Sequence, residues 1–543
     1  MSKETPKASI SRRNFVKTGA TAGLGATALT GLSHAELEGQ SPQQTWDLTA
    51  DVVIAGAGIS GLSAAIEARD RGATVIIVEE NNDCGGHGIV SGGNVNLGGG
   101  TSRQRAGGIS DNADAVFEEW IRPDDLECRF TDRDLTRVFA DMSAETFEWM
   151  VENGVHFEGT ITGADQRNGP TVQWPVYEEL ITSYPTRKGS GLARALEKSA
   201  RAKGAQILLL HKMTGLVQNP STKVVEGLTA TTQGRTLRVR GTGGVILATG
   251  GHTSNVHFRR MFDPRLTEEY QTAGAPYTEQ NADGELAAMA LGAALWGTAS
   301  QSMEAGNWIS KTAHIGCQWG YSSLWWQPDS PIFEKVRASG LTGVDWQNAI
   351  MVKQNGRRFH SETAGGHDFF AACFAYSGDP NKKNGGGPIW AIFDADAVTR
   401  QEWDPTPPNV DPTYFFSADT LAELAGRIRN PYQTLRMQGS VLQESVARYN
   451  SFVDSGTDAD FGKPTPRYKI QTPPFYAAWS TPILHDSLCG LRVDTRCRVI
   501  DLYGAPIAGL YACGETMGGF PQHGLGRCSL FGRVAGRDAA ASA

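Results

Sequence analysis

The chain has 543 residues, 40% hydrophobic and 20% charged, with a formal net charge of -8 at pH 7 and a pI near 5.8. That length predicts two or more globular domains rather than one core, and the acidic balance without a long basic run argues against a nucleic-acid partner. The eight cysteines (84, 128, 317, 373, 489, 497, 513 and 528) form no CxxC or CxxCH pattern, so zinc ribbons, iron–sulfur clusters and c-type haem have no support and the thiols read as structural.

In chain order, residues 1–35 read as a twin-arginine signal peptide. Ser11-Arg12-Arg13-Asn14-Phe15-Val16-Lys17 is followed by a weakly apolar run and the small-residue site Ser33-His34-Ala35. The run is too short and too rich in Gly, Ala and Thr for a stable membrane span. This route carries folded proteins, so the expectation is a periplasmic protein loaded with a cofactor before export.

Residues 51–55 then read as a buried strand, Gly56, Gly58 and Gly61 as a GxGxxG turn, residues 60–71 as a helix that Ile59 and Ser60 open, and residues 74–78 as a second strand. That strand ends at Glu79 and Glu80, with Glu79 18 residues after Gly61. Strand, glycine turn, helix and terminal acid in this order are the dinucleotide fingerprint. The glycines let the backbone approach a pyrophosphate, the helix N-terminus stabilises its charge, and Glu79 accepts from a ribose diol.

Two distant segments choose FAD over NAD. "GTGGVILATGG" (241–251) reads as a buried strand rejoining the nucleotide site. "APIAGLYACGETMGG" (505–519) reads as another, followed by glycine-rich turns and the helix "LFGRVAGRDAAASA". A site closed by the last fifty residues suits the isoalloxazine, which needs a second wall. Between these segments, "DTLAELAGRIRN" and "QGSVLQESVARYNSFVDSG" have helical apolar spacing, and "DPTPPNVDPTYF" reads as a surface loop. Residues 308–326 hold Trp308, Trp319, Tyr321, Trp325 and Trp326, which suits a pocket for a large, flat, apolar molecule or, nearly as well, ordinary core packing.

Together with "GGHGIVSGGNVNLGG", "NADGELAAMALGAAL", "NGRRFHSE" and "PFYAAW", these segments resemble the fumarate reductase, succinate dehydrogenase and 3-ketosteroid dehydrogenase superfamily of FAD enzymes over nearly all of the chain after the signal. The resemblance implies an α/β fold: a Rossmann-like FAD-binding domain split into 46–300 and 471–543, with an inserted α+β capping domain at 301–470. It also implies that Gly86, Ser91, Gly92 and Gly93 line the pyrophosphate and flavin, and that the Met213 backbone meets the adenine. Thr249 and Gly250 continue the wall, Asp283 and Gly284 approach the flavin, and Glu515, Ser529 and Leu530 complete it. His87 lies one residue nearer to Gly92-Gly93 than the histidine that holds FAD covalently in succinate dehydrogenases, which leaves covalent attachment open.

The chain departs from fumarate reductases where substrate is held. Gly366 and His367 stand where an Arg-Asp pair is usual. His485 stands one place before the usual catalytic histidine, a position held here by Asp486, and Gly524 falls where an arginine belongs, with Arg527 three residues on. Losing these carboxylate clamps argues against a C4 dicarboxylate substrate. The tyrosine of ketosteroid dehydrogenases has no match either, because its position falls at Gln522. The candidate catalytic residues are therefore His523 or His485 to move a proton, Arg527 or Tyr476 to polarise a carbonyl, the Gly526 amide as an oxyanion donor, and His367, without an assigned role.

The expected function is an FAD-dependent dehydrogenase or reductase of a C–C bond adjacent to a carbonyl in a hydrophobic, cyclic small-molecule substrate, exchanging electrons with a quinone or separate cytochrome. The alternatives are a fumarate-reductase-like reductase of an unsaturated carboxylate, a flavin oxidase, and an electron-transfer flavoprotein.

Overall fold

The computed structural model describes residues 45–91, 93–122, 131–157, 171–173, 175–176, 188–272, 274, 278–296, 307–312, 314–318, 338, 340–375, 386–522 and 524–543. The readings of residues 1–35, Gly92, His523, Trp319, Tyr321, Trp325 and Trp326 lie outside the described residues.

Strand β1 (Leu48–Ala55) ends in the glycine turn, and helix α1 (Ile59–Asp70) follows. Strand β2 (Val75–Val78) is buried at every position, as befits a parallel strand covered on both faces. Helix α2 (Arg133–Glu152) and helix α3 (Lys188–Ala202) precede β3 (Gln206–Leu208). An antiparallel meander then runs through β4 (Lys212–Gln218), β5 (Val225–Thr232) and β6 (Arg235–Leu247). β6 turns back beside β1, in parallel, with Val52–Ala55 opposite Gly244–Leu247. Helix α4 (Asp283–Met289) closes this half.

The chain then leaves the sheet. β7 (Asn307–Ser310) is followed by β8 (Ile350–Lys353), α5 (Gly366–Phe374), β9 (Ile389–Asp394), β10 (Phe415–Ala418), α6 (Leu421–Arg427), α7 (Gly439–Ser455), β11 (Phe475–Trp479) and β12 (Ile483–Ser487). A second sheet, ordered β8-β9-β11-β10 and antiparallel throughout, has its own core, into which α6 and α7 pack Leu424, Leu442, Val446 and Tyr449 beside Trp390 and Trp479. The expected junction at 470/471 falls short of this sheet's end, because β11 is one of its two central strands. β11 pairs its Phe475–Trp479 with β9 and its Phe475–Ala478 with β10.

The last segment returns to the first sheet with β13 (Arg498–Ile500), β14 (Pro506–Ala512) and α8 (Leu525–Ala541). The path through that sheet is β13-β14-β6-β1-β2-β3, with β5 and β4 appended to β6. β14 lies parallel to β6, with Leu510–Ala512 opposite Val245–Leu247. The two ends of the chain therefore build one sheet, and the carboxyl ends of β1, β2, β6 and β14 share one edge, where doubly wound sheets bind ligands.

Candidate active site

Local geometry at the glycine turn follows from steric need. Gly56 has φ +104°, and a Cβ there would sit 2.2 Å from the Ala248 carbonyl oxygen. Gly61 lies so close to the turn that a Cβ would meet the Gly56 oxygen at 1.9 Å. Gly58 is the N-cap of α1 and supplies no side-chain cap, and the first turn of that helix holds no acid. The first N–H groups of a helix have no partner within it, and Gly58, Ile59 and Ser60 line the cleft, an arrangement suited to a phosphate. Glu79 is buried at the end of β2; its Oε2 accepts from the Ala57 N–H at 2.6 Å and its Oε1 from the Asn81 N–H at 2.9 Å. Burial pushes its carboxyl above the ordinary range. Lys212 ties the rim together, 2.7 Å from Glu80 and 3.0 Å from Asp283.

Further along, Thr249 Oγ1 accepts from the Gly284 N–H at 3.1 Å, and Thr516 Oγ1 donates to the Gly250 carbonyl at 2.9 Å. β6, α4 and the turn after β14 are thereby joined. Beyond them lies a knot of polar side chains. Glu515 Oε1 is 3.2 Å from His87 Nδ1, while its Oε2 accepts from Gln280 Nε2 at 2.9 Å and from the Ser487 N–H at 3.1 Å. Burial pushes the His87 imidazole down, but the Glu515 carboxylate and then Asp486 more than offset this, so its pKa is raised. Behind this wall, His252 and Glu285 are fully buried 3.5 Å apart, and the His252 N–H donates to Ser487 Oγ at 2.9 Å.

Most of these groups, though not His252 and Glu285, line one continuous cleft with a cavity volume of about 380 Å³, within the range of ordinary small-ligand pockets. Glu79, the uncapped helix and the Gly58–Gly86 approach lie at one end, and His87, His485, Asp486 and Glu515 at the other. A Cβ on Gly86 would come within 3.1 Å of the Gly58 Cα, so the two loops can meet only as bare backbone. The residues present fit an adenine dinucleotide with its second ring system at the polar end.

The model of the FAD binding domain family matches residues 51–527. The chain belongs to this family. Its cofactor is FAD, and it is an FAD-dependent oxidoreductase. Among curated relatives, a probable fumarate reductase of Shewanella frigidimarina is 26% identical over 91% of this chain and 75% of its own length. The acrylate reductase flavoprotein subunit of Shewanella woodyi is 28% identical over 96% of each chain. Two solved structures share the fold. The open conformation of a flavocytochrome c3 fumarate reductase has a TM-score of 0.66 at 24% identity, covering 92% of this chain and 79% of that one. The 3-ketosteroid-Δ4-(5α)-dehydrogenase of Rhodococcus jostii has a TM-score of 0.57 at 24% identity, covering 92% and 99%.

Most of the expected FAD contacts line the cleft: Gly56, Gly58, Ile59, Ser60, Glu79, Glu80, Gly86, His87, Ser91, Gly93, Met213, Thr249, Gly250, Asp283 and Glu515. Gly61 and Gly284 stand behind its wall and permit the close approaches above. Gly526, Ser529 and Leu530 are buried within α8 and are not among the lining residues. The α8 contacts are Leu525 and Cys528, with Gly524 just ahead of them, because residues three apart share a helix face.

The same periodicity turns Arg527 away. It is fully buried, and its guanidinium donates to the carbonyls of Met517 and Ser487. Tyr476 is likewise removed from the cleft, since in β11 it pairs across the ladder with Phe393 and stacks on that ring at 5.3 Å. His367 is the second residue of α5. Of the proposed catalytic side chains, His485 is the one among the described residues that lines the cleft. Sequence reasoning missed Gln280, Thr278, Asn94 and Asn96 as lining residues. The alternation Asn94-Val95-Asn96 was the available signal for the last two, because a strand sends them to one face.

Proposed function

We propose that this protein desaturates or reduces a C–C bond next to the carbonyl of a hydrophobic, cyclic substrate. The observation that carries the reading is the make-up of the polar end of the cleft. Two carboxylates, Asp486 and Glu515, flank His87 and His485, and no arginine lines the cleft among the described residues. An anionic substrate therefore finds no bidentate guanidinium partner on that lining, whereas an uncharged ketone needs only a hydrogen-bond donor. FAD, when bound, supplies the acceptor or donor of the hydride.

The chain's own groups supply the rest. His485 moves the proton at the carbon beside the carbonyl. The first turn of α8 has no side-chain cap, and Leu525 lines the cleft, so its N–H group can polarise the carbonyl oxygen. Residues 341–479, with their separate core, act as the cap that excludes water. The aromatic run at 308–326 supports the same substrate class. The relatives named above favour a second reading, reduction of an unsaturated carboxylate.

Anaerobic titration separates the two. Saturated cyclic ketones should bleach the oxidised protein, or cyclic enones should reoxidise the reduced form. Reoxidation by fumarate or acrylate alone would defeat the ketone reading.

We also infer that the protein is exported to the periplasm with its cofactor in place and exchanges electrons there with a quinone or a separate cytochrome. Arg12-Arg13 supports this, as does the absence of a CxxCH haem site from the sequence. The double substitution Arg12→Lys, Arg13→Lys should leave yellow, folded protein in the cytoplasmic fraction. Undiminished export of that variant would refute the assignment.

A further inference from the structure

Strand β12 carries an irregularity where the polar end of the cleft begins. In its antiparallel ladder with β7, Trp308 lies opposite Asp486 and Ile309 lies opposite Leu484. His485 is therefore an extra residue without an opposite number, a β-bulge. In a regular strand adjacent side chains point to opposite faces, so a histidine and the next residue could not both reach one wall. A bulge breaks that alternation and re-aims the side chains beside it. Here both His485 and Asp486 line the cleft, and Asp486 Oδ1 lies 3.4 Å from His485 Nδ1.

We propose that Asp486 is a positioning residue for His485, and that the bulge at His485 brings the two together as a carboxylate–imidazole pair facing the substrate. The proposal rests on the reading above that this end of the cleft handles the substrate's proton.

The contact is a charge contact rather than a formed hydrogen bond, and it still favours one tautomer: an N–H at His485 Nδ1 faces the Asp486 carboxylate with attraction, a bare lone pair there with repulsion, so Nε2 is left as the basic nitrogen. In the dehydrogenation direction Nε2 takes the proton from the carbon next to the carbonyl. In reduction the imidazolium returns a proton to that carbon. The positive charge that appears on the ring is balanced by the carboxylate, the logic of an Asp-oriented catalytic histidine.

The other charged and titratable groups around Asp486 do not replace it. His87 Nδ1 is 3.8 Å from the same oxygen but is held more closely by Glu515 and Gln280. Arg527 lies behind the wall with its guanidinium on two backbone carbonyls. Cys528 and Cys489 are thiols whose pKa values burial raises. His87 and His485 themselves stand 6.3 Å apart, ring to ring.

Nitrogen-15 spectra of the FAD-loaded protein, labelled at histidine, read the pairing without any substrate. His485, assigned by its loss in His485→Gln, should show the hydrogen on Nδ1. In Asp486→Asn the same signal should shift toward a mixture of tautomers. With a turned-over substrate, Asp486→Asn should lower kcat about 100-fold, within the range general acid–base catalysis supplies, and leave KM within about twofold. Asp486→Glu should restore part of kcat, and the visible spectrum of bound FAD should be unchanged in both. A His485 carrying its hydrogen on Nε2 in the unsubstituted protein overturns the pairing whatever compound is turned over, and so does an Asp486→Asn variant with full kcat. A protein with the expected tautomer that turns over only fumarate defeats the ketone reading and leaves the pairing standing.

Discussion

His87 shows most directly how single residues set the chemistry of the cleft. In the apoprotein its pKa is raised, because Glu515 and then Asp486 outweigh the burial that pushes it down. A histidine raised in the folded state adds stability that is complete below its unfolded value, near 6.5. That stability is lost as pH rises through the higher folded value. The melting temperature of the apoprotein should therefore exceed that of His87→Gln by more at pH 6 than at pH 9. An equal difference at both pH values would show that folding leaves the pKa of His87 unchanged, and a smaller one at pH 6 that the fold holds it neutral. Asp486 illustrates the limit of sequence at this scale. Its type is visible beside His485, but a one-residue bulge lets both of them face the cleft, and nothing in "PILHDS" marks the bulge. Arg527 and Tyr476 fail for the same reason. Their identities suit carbonyl polarisation, while helix phase and a cross-strand ring pair point them elsewhere.

Among the elements, the contact between α8 and α1 holds the C-terminal segment onto the nucleotide half. Gly532 and Gly536, one turn apart on α8, lie against the backbone of α1. A Cβ on Gly536 would stand 2.2 Å from the Ala64 oxygen, and one on Gly532 would stand 2.3 Å from the Ser60 oxygen. Arg533 reinforces the contact through Glu67 at 3.0 Å. Helix propensity alone would make Gly→Ala stabilising by about 0.5–1 kcal/mol, whereas a clash with backbone costs about 1–3 kcal/mol. The clash should win at Gly536. Gly426 in α6 has nothing within 4 Å of its would-be Cβ, so propensity should win there. Chemical denaturation should find Gly536→Ala destabilised and Gly426→Ala slightly stabilised; the reverse order would contradict this packing. Elements of this kind were well announced by the sequence. The spacing from Gly56 to Glu79 and the apolar periods of 419–430 and 438–456 are local signals, and the observed β1, α1, β2, α6 and α7 fall within a few residues of them.

For the whole molecule, the main consequence is that distant parts of one chain build a single sheet and a single cleft. The glycine fingerprint and the strand at 505–519 announce both partners, because each is a buried run ending in glycine. The end of the second sheet was less legible. β11 belongs with β9 and β10, and strand pairing between segments this distant in sequence, Phe415–Ala418 with Phe475–Ala478, leaves no local mark on composition.

The N-terminal glycine turn and the C-terminal segment should together hold one FAD. Fluorescence titration of the apoprotein tests it with Gly58→Val at one end and Glu515→Leu at the other, beside the unsubstituted chain. We predict one FAD per chain for the latter and weakened binding for each variant. A stoichiometry other than one, or full-strength binding by either variant, would contradict the claim.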